Sequence, residues 1–218
     1  MFVAPSVLPP SWRAEPAPQV ADPQVGEVQI ARWQALASGL ARAAADIAMS
    51  SWEGAWPKDL VAHACLIGED GMGLLHYLQW EGAAAAGVAG LDAVVPGVMR
   101  QDAMICRLHR SRIAKPGRAP GAVAVIEFET DGQAQAESLI AAMTDPALGA
   151  PAGLIAGHYH IVAGGRRVVN YAEWESVEAN RAFLGSPAQA AFNAAAAAPG
   201  VRPAGGKIYR PAVRRRRG

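Results

Sequence analysis

The chain has 218 residues, a net charge of +1 and a hydrophobic fraction of 51%, which suits one large domain or two small ones. Near-neutral charge gives no reason to expect a nucleic-acid partner, and no run approaches the roughly 18 apolar residues of a membrane span. Cys65 and Cys106 lie outside any C-x-x-C pattern and the N-terminus lacks the regions of a signal peptide, so the expectation is a reduced, cytoplasmic protein.

Residues 1–24 contain "APSVLPPSWRAEPAPQVADP", too rich in proline for a helix or a central strand, and read as a flexible leader. A first domain follows over 25–113. "VGEVQIARW" (Val25 to Trp33) alternates as a strand, with Val28, Ile30 and Arg32 on one side. In "QALASGLARAAADIAMSSWEGAW" the residues Leu36, Leu40, Ala44, Ile47 and Ala48 fall at helical spacing, ending before Pro57. "LVAHACLIGED" and "LLHYLQWE" are two strands around a Gly-Glu-Asp-Gly turn. Gly82 to Leu91 is a second, alanine-rich helix, and "QDAMICRLHRSR" a fourth strand. The segment 114–120 is a Pro- and Gly-bearing linker. A second domain over 121–213 repeats the order: "GAVAVIEFE", "DGQAQAESLIAAMT", "AGLIAGHYHIVAG", "RRVVNYAEWES", a helical region interrupted at Ser186-Pro187, then "GKIYRPAV". The arginines of 214–218 follow the last strand and read as a solvated basic tail.

The octets "LLHYLQWE" (Leu74 to Glu81) and "VVNYAEWE" (Val168 to Glu175) are nearly the same. Sliding the chain by the 94 positions between Trp80 and Trp174 also places Leu60 on Leu154, Ile67 on Ile161 and Tyr77 on Tyr171. That is an internal duplication. Two β-α-β-β-α-β units are two ferredoxin-like domains, and their open sheet faces can pack together. The expected fold class is α+β, an intrachain dimeric α+β barrel.

These octets, with "SSWEGAWP", the "GEDG" turn and "NYAEWESVEANRAFLGSP", resemble the antibiotic biosynthesis monooxygenase family, and in particular its tandem members from high-GC bacteria. The resemblance covers roughly residues 25 to 213. It implies a cofactor-independent monooxygenase that converts an anthrone-type aromatic polyketide to a quinone with molecular oxygen, using no flavin, haem or metal. Consistently, the chain carries no nucleotide-binding glycine loop, H-E-x-x-H or G-x-S-x-G motif. The expected partners are a small aromatic substrate and oxygen, with no nucleic acid and no membrane. The pseudo-dimer could pair again as a homodimer. Relatives with other chemistry leave a non-oxidative cyclase or a ligand-binding barrel as alternatives.

By the resemblance, Asn170 would hydrogen-bond the substrate and Trp174 would help hold the oxygenated intermediate; four apart on one strand, they share a face above the small Ala172. The family's tyrosine after the tryptophan and its downstream arginine have no counterparts, since Asn180 and Ala194 stand there. The first copy has His76 and Trp80 at the matching positions, and a histidine titrating near neutrality would suit a general base. Each of the four also has a structural reading as a packed core residue. Tyr77 and Tyr171 point to the opposite face, with Gln79 and Glu173, and suit a seam between sheets. His158 and His160 share a face without a matching third ligand, so packed or hydrated imidazoles are expected there and no metal. Trp52 and Trp56 either close the first helix over the core or roof an aromatic ligand. Cys106 reads as a small buried hydrophobe.

Overall fold

The computed structural model describes residues 18–52, 56–84, 91 and 94–216. Its strands are β1 (Glu27–Ala35), β2 (Leu60–Gly68), β3 (Gly73–Trp80), β4 (Val98–Arg100), β5 (Met104–Ile113), β6 (Ala122–Thr130), β7 (Leu154–Val162), β8 (Arg167–Trp174) and β9 (Val201–Arg216). The described helices are α1 (Leu40–Ser50), α2 (Gln133–Met143), α3 (Val177–Phe183) and α4 (Pro187–Ala196). The second helix expected in the first unit, Gly82 to Leu91, falls largely outside the described residues. The limits of β2 and β3 recur 94 residues later as those of β7 and β8. The duplication is thus visible in the fold.

All pairings are antiparallel. The order β3-β2-β9-β6-β8-β7-β5-β1 closes where β1 pairs back on β3, and β4 lies beyond β1. Closure removes the open edges that an eight-stranded sheet would otherwise expose. The last strand of each unit crosses to the other: β5 pairs with β7, and β9 pairs with both β6 and β2. The α+β barrel expected from the sequence is therefore formed within one chain.

Period-two alternation decides which side chains enter the barrel. Val28, Ile30, Leu75, Tyr77, Val123, Val125, Val169 and Tyr171 form the interior cluster, and burial of each large apolar side chain contributes roughly 1.5–3 kcal/mol. Arg32, on the same side as Val28 and Ile30, pairs with the buried Glu127 of β6. The opposite sheet faces carry the helix-covered cores, one in the first unit and two smaller ones in the second.

Several elements differ from expectation. The first helix starts only at Leu40, behind Gly39 at φ 88°, because β1 runs on to Ala35. Leu36 and Ile47 are exposed, and the buried face is Met49 with Ala41, Ala44, Ala45 and Ala48, four small side chains that let α1 approach the sheet closely. The strand expected from Gln101 begins at Met104, after the short β4. The basic tail is corrected as well: Arg214, Arg215 and Arg216 continue β9 and pair with Ala64, His63 and Ala62 of β2. Arg215 stacks over Trp56 at 5.4 Å and Arg216 bonds Asp22 at 2.9 Å. The end of the leader is likewise anchored, with Val20 and Asp22 buried. Among the described residues no helix is long and apolar enough to cross a membrane.

Candidate functional site

In the second unit a cavity of about 570 Å³ lies between the outer sheet face and helices α2 to α4. That volume is in the range of small-molecule sites. Its floor comes from the outward positions of four strands: Ala124, Ile126 and Phe128 of β6, Gly157 and Tyr159 of β7, Asn170, Ala172 and Trp174 of β8, and Gly206 and Ile208 of β9. Helices supply Met143, Asn180, Phe183 and Phe192 as walls. Ser186, whose hydroxyl accepts from Gln189 N–H, and Pro187 restart the chain as α4 and bring Phe192 over the site. Phe183 packs against Trp174 with ring centroids 5.2 Å apart.

The lining is mostly apolar, so its few polar atoms decide how a ligand is held. Asn170 Oδ1 and Trp174 Nε1 are buried without a hydrogen-bond partner. Leaving one such group unsatisfied costs about 1–3 kcal/mol. An acceptor and a donor so placed match a ligand that carries both a hydroxyl and a carbonyl. Tyr159, whose phenol burial pushes up to about 12, stays protonated and adds a third polar group. Its ring lies over Gly157, where an added Cβ would meet the ring and hydroxyl at 3.3–3.4 Å. At the rim, the β2–β3 turn of the first unit contributes Glu69 and Asp70. Glu69 bridges to Arg181 of α3 at 2.5 Å and Asp70 to Lys207 of β9 at 2.8 Å. The lysine holds the Asp70 carboxyl down at about 2.

On the matching face of the first unit, described side chains close in on the histidine. His76 is fully buried, with the Trp33 ring 4.3 Å away, His63 Nε2 3.0 Å from its Nδ1 and Cys65 Sγ 3.4 Å from the same nitrogen. Three potential ligand atoms from His63, Cys65 and His76 lie within 4.8 Å of one another. The hydrogen bonds argue against a metal in this arrangement. Indole N–H is donor only, and Trp52 Nε1 donates to His63 Nδ1 at 2.8 Å. Neutral His63 therefore carries its proton on Nε2, which donates to His76 Nδ1, and the two nitrogens facing the gap share a proton. Burial pushes the His63 imidazole down to about 3 and His76 well below its ordinary value, so both are neutral. His76 Nε2 and Trp80 Nε1 remain without partners. Burial also pushes the Cys65 thiol up.

No protein-family model matches the chain, and no curated protein does. Solved structures do. An anthrone oxidase-like protein superposes with a TM-score of 0.66 at 15% identity, covering 88% of this chain and 93% of that one. A candidate monooxygenase from Fusobacterium nucleatum gives 0.55 at 7% identity, over 89% and 96%. A ferredoxin-fold protein from Listeria monocytogenes, described as related to antibiotic biosynthesis monooxygenases, gives 0.51 at 10% identity, over 86% and 95%. The fold is shared with monooxygenase-like ferredoxin-fold proteins. That agrees with the resemblance read in the sequence and, at such identities, speaks for the architecture alone.

Within this architecture the expected residues separate. Asn170 and Trp174 line the cavity with Asn180, whereas Ala194 does not. His76 and Trp80 do not line it. Tyr77 and Tyr171 face each other inside the barrel, centroids 5.0 Å apart, and Tyr77 hydroxyl lies 2.8 Å from His160 Nε2. Gln79 and Glu173 do not bond each other: Gln79 donates to Gln19 O and Glu173 lies near His158. Trp52 and Trp56 close the end of α1, Trp56 donating to Leu60 O. Cys106 is buried, 3.5 Å from Val28 O. Sequence reading missed Gly157 and Tyr159; a glycine and an outward tyrosine two apart in an apolar strand were the signal. It also missed that Cys65 meets His63 and His76, which His-x-Cys spacing on β2 opposite His76 would have suggested.

Proposed function

We propose that the second-unit cavity binds a planar phenolic aromatic, an anthrone-type polyketide, and that the chain is a cofactor-independent monooxygenase converting it to the quinone with molecular oxygen. The observation that carries this reading is the unpartnered pair Asn170 Oδ1 and Trp174 Nε1 in an apolar cavity of about 570 Å³. Asn170 Oδ1 would accept the substrate's hydroxyl, and Trp174 N–H would donate to the oxygen-bearing carbon's new peroxide as negative charge develops there. The apolar walls exclude water and keep reduced oxygen from leaking. No imidazole lines the cavity, Tyr159 stays protonated, and both rim carboxylates are paired. The pocket thus offers orientation and hydrogen bonds but no free strong base. That favours a substrate that ionises readily, as anthrones do, over a cyclisation that needs proton abstraction from carbon.

Oxygen uptake with dithranol or emodin anthrone tests this. Catalysed uptake should fall on the order of 100-fold in Asn170→Ala, the usual size of a lost positioning or anion-stabilising contact, and should be unchanged in His76→Asn. Uptake at the spontaneous rate for the wild-type protein, or loss in the His76 variant alone, would reject the assignment.

A further inference from the structure

A second group of polar side chains lies inside the barrel, away from the cavity. Ser111 of β5, His158 of β7 and Tyr171 of β8 sit opposite one another on three adjacent strands. Ser111 Oγ is 2.7 Å from His158 Nδ1. On the other side of the ring, His158 Nε2 is 3.7 Å from the Glu173 carboxylate, with both side chains almost wholly buried. Tyr171 hydroxyl is buried and has no hydrogen-bond partner. A cleft of about 530 Å³ opens at this end of the barrel, lined by His158 and Glu173, by Ile113, and by the 115–120 loop with Lys115 and Arg118. Ser111, half-buried, is not itself part of this lining and lies on the same face two residues before Ile113.

A hydroxyl that donates to one imidazole nitrogen while a carboxylate faces the other is the arrangement that activates a serine. A serine hydroxyl can donate or accept, whereas a carboxylate only accepts, so Glu173 beside Nε2 favours the proton there and leaves Nδ1 to accept from Ser111. We propose that Ser111, His158 and Glu173 form a second, hydrolytic site that takes small aryl or alkyl esters from the cleft. Ser111 Oγ bonds to the ester carbonyl carbon as its proton passes to His158 Nδ1. The carbonyl's electron pair moves onto oxygen, while Glu173 stabilises the imidazolium. Collapse breaks the bond to the leaving alcohol or phenol, which takes the proton from His158. Water then attacks the acyl-serine by the same route and releases the acid. Glu173 acts through His158 as a positioning residue.

The test is acylation of the full chain by p-nitrophenyl acetate, followed by peptide mass mapping and by nitrophenolate release across pH. The expected result is an acetyl group on Ser111. Its rate should drop on the order of 100-fold in His158→Gln, the size of a lost general base. Glu173→Gln should give a smaller loss. An adduct only on Lys115, a rate simply proportional to hydroxide, or labelling of His158→Gln as fast as wild type would overturn the proposal. The site of the adduct on the wild-type chain decides the matter even where the variant folds poorly.

Discussion

The two units place a tryptophan at the same point of two matching octets, and one of them stands over a cavity while the other, among the described residues, stands in a packed core. The difference lies on neighbouring strands. Gly157 of β7 is replaced at the equivalent position of β2 by His63, and Ala172 of β8 is replaced on β3 by Leu78. His63 then recruits Trp52, which covers the face and fixes the tautomers of both imidazoles. A pocket in this fold is thus made by small residues beside the polar ones. Protein interiors are packed densely enough that a methylene or two decides whether space exists.

The largest effect should come from transferring the packed pattern. The double variant Gly157→His, Ala172→Leu brings two bulky groups onto the cavity floor, where the Tyr159 ring is already in contact range of any new Cβ. Binding of an anthraquinone product analogue, followed by tryptophan quenching, should weaken by about two orders of magnitude, or ~2.7 kcal/mol. Equal affinity would mean that ligands bind elsewhere. Next in size is Trp52→Phe in the first unit, which keeps an aromatic ring but strands His63 Nδ1 in a buried site. The expected loss of unfolding free energy is about 1–3 kcal/mol, read from the denaturant midpoint, with binding in the second unit unaltered. No loss would contradict the tautomer assignment on which exclusion of a metal rests.

Acid should separate the units from the barrel they share. His63 and His160 are held down at about 3, in both cases chiefly by burial. His63 faces Trp52, His76 and Cys65, whereas His160 faces the Tyr77 hydroxyl, Val169 O and His158. Their unfolded value is near 6.5, so the unfolded chain takes up the protons first. The stability they contribute is complete above about pH 6.5 and is lost as the pH falls toward 3, at up to ~1.4 kcal/mol per pH unit for each group. Unfolding free energies at pH 7, 5.5 and 4 should show this slope, and His160→Gln should flatten part of it. A wild-type curve level over that range would show that these imidazoles are not buried as neutral groups.

Much of the barrel was legible because the duplication marks its own register: once Trp80 falls on Trp174, β2, β3, β7 and β8 follow, and alternation assigns the tyrosines inward. The resemblance names Asn170 and Trp174, and both line the cavity. What stayed hidden depends on contacts distant in sequence. The run Arg214 to Arg217 looks like a solvated tail in isolation. For Arg214 to Arg216 the strand pairing comes from β2, the cation–π contact from Trp56 and the ion pair from Asp22, all at least 150 residues earlier. Tyr159 was overlooked because β7 drew attention to His158 and His160, which face the other way. The extent of α1 was misjudged since apolar spacing alone does not tell a helix from the end of the preceding strand, which only Gly39 punctuates.

The smallest expected effect concerns how one unit serves the other. Glu69 in the β2–β3 turn reaches across to Arg181 of α3, the helix that carries Asn180 and Phe183 into the cavity. The equivalent turn of the second unit reads Ala163-Gly164-Gly165-Arg166, and has no carboxylate with which to hold a helix of the first unit in return. The clamp is therefore one-sided, from the packed unit to the open one. Arg181 is 58% exposed and Glu69 30%, so the ion pair itself should contribute no more than ~1 kcal/mol to stability. Its effect belongs to the ligand's exit. Glu69→Gln should leave the unfolding midpoint within error while raising the dissociation rate of a bound anthraquinone several-fold, because the ion pair tethers the helix that carries Asn180 and Phe183 into the cavity wall. Stopped-flow release measures this directly, and the charge swap Glu69→Arg with Arg181→Glu should restore the slow rate. If the swap releases ligand as fast as the single variant, the two units share a barrel without the first controlling access to the second.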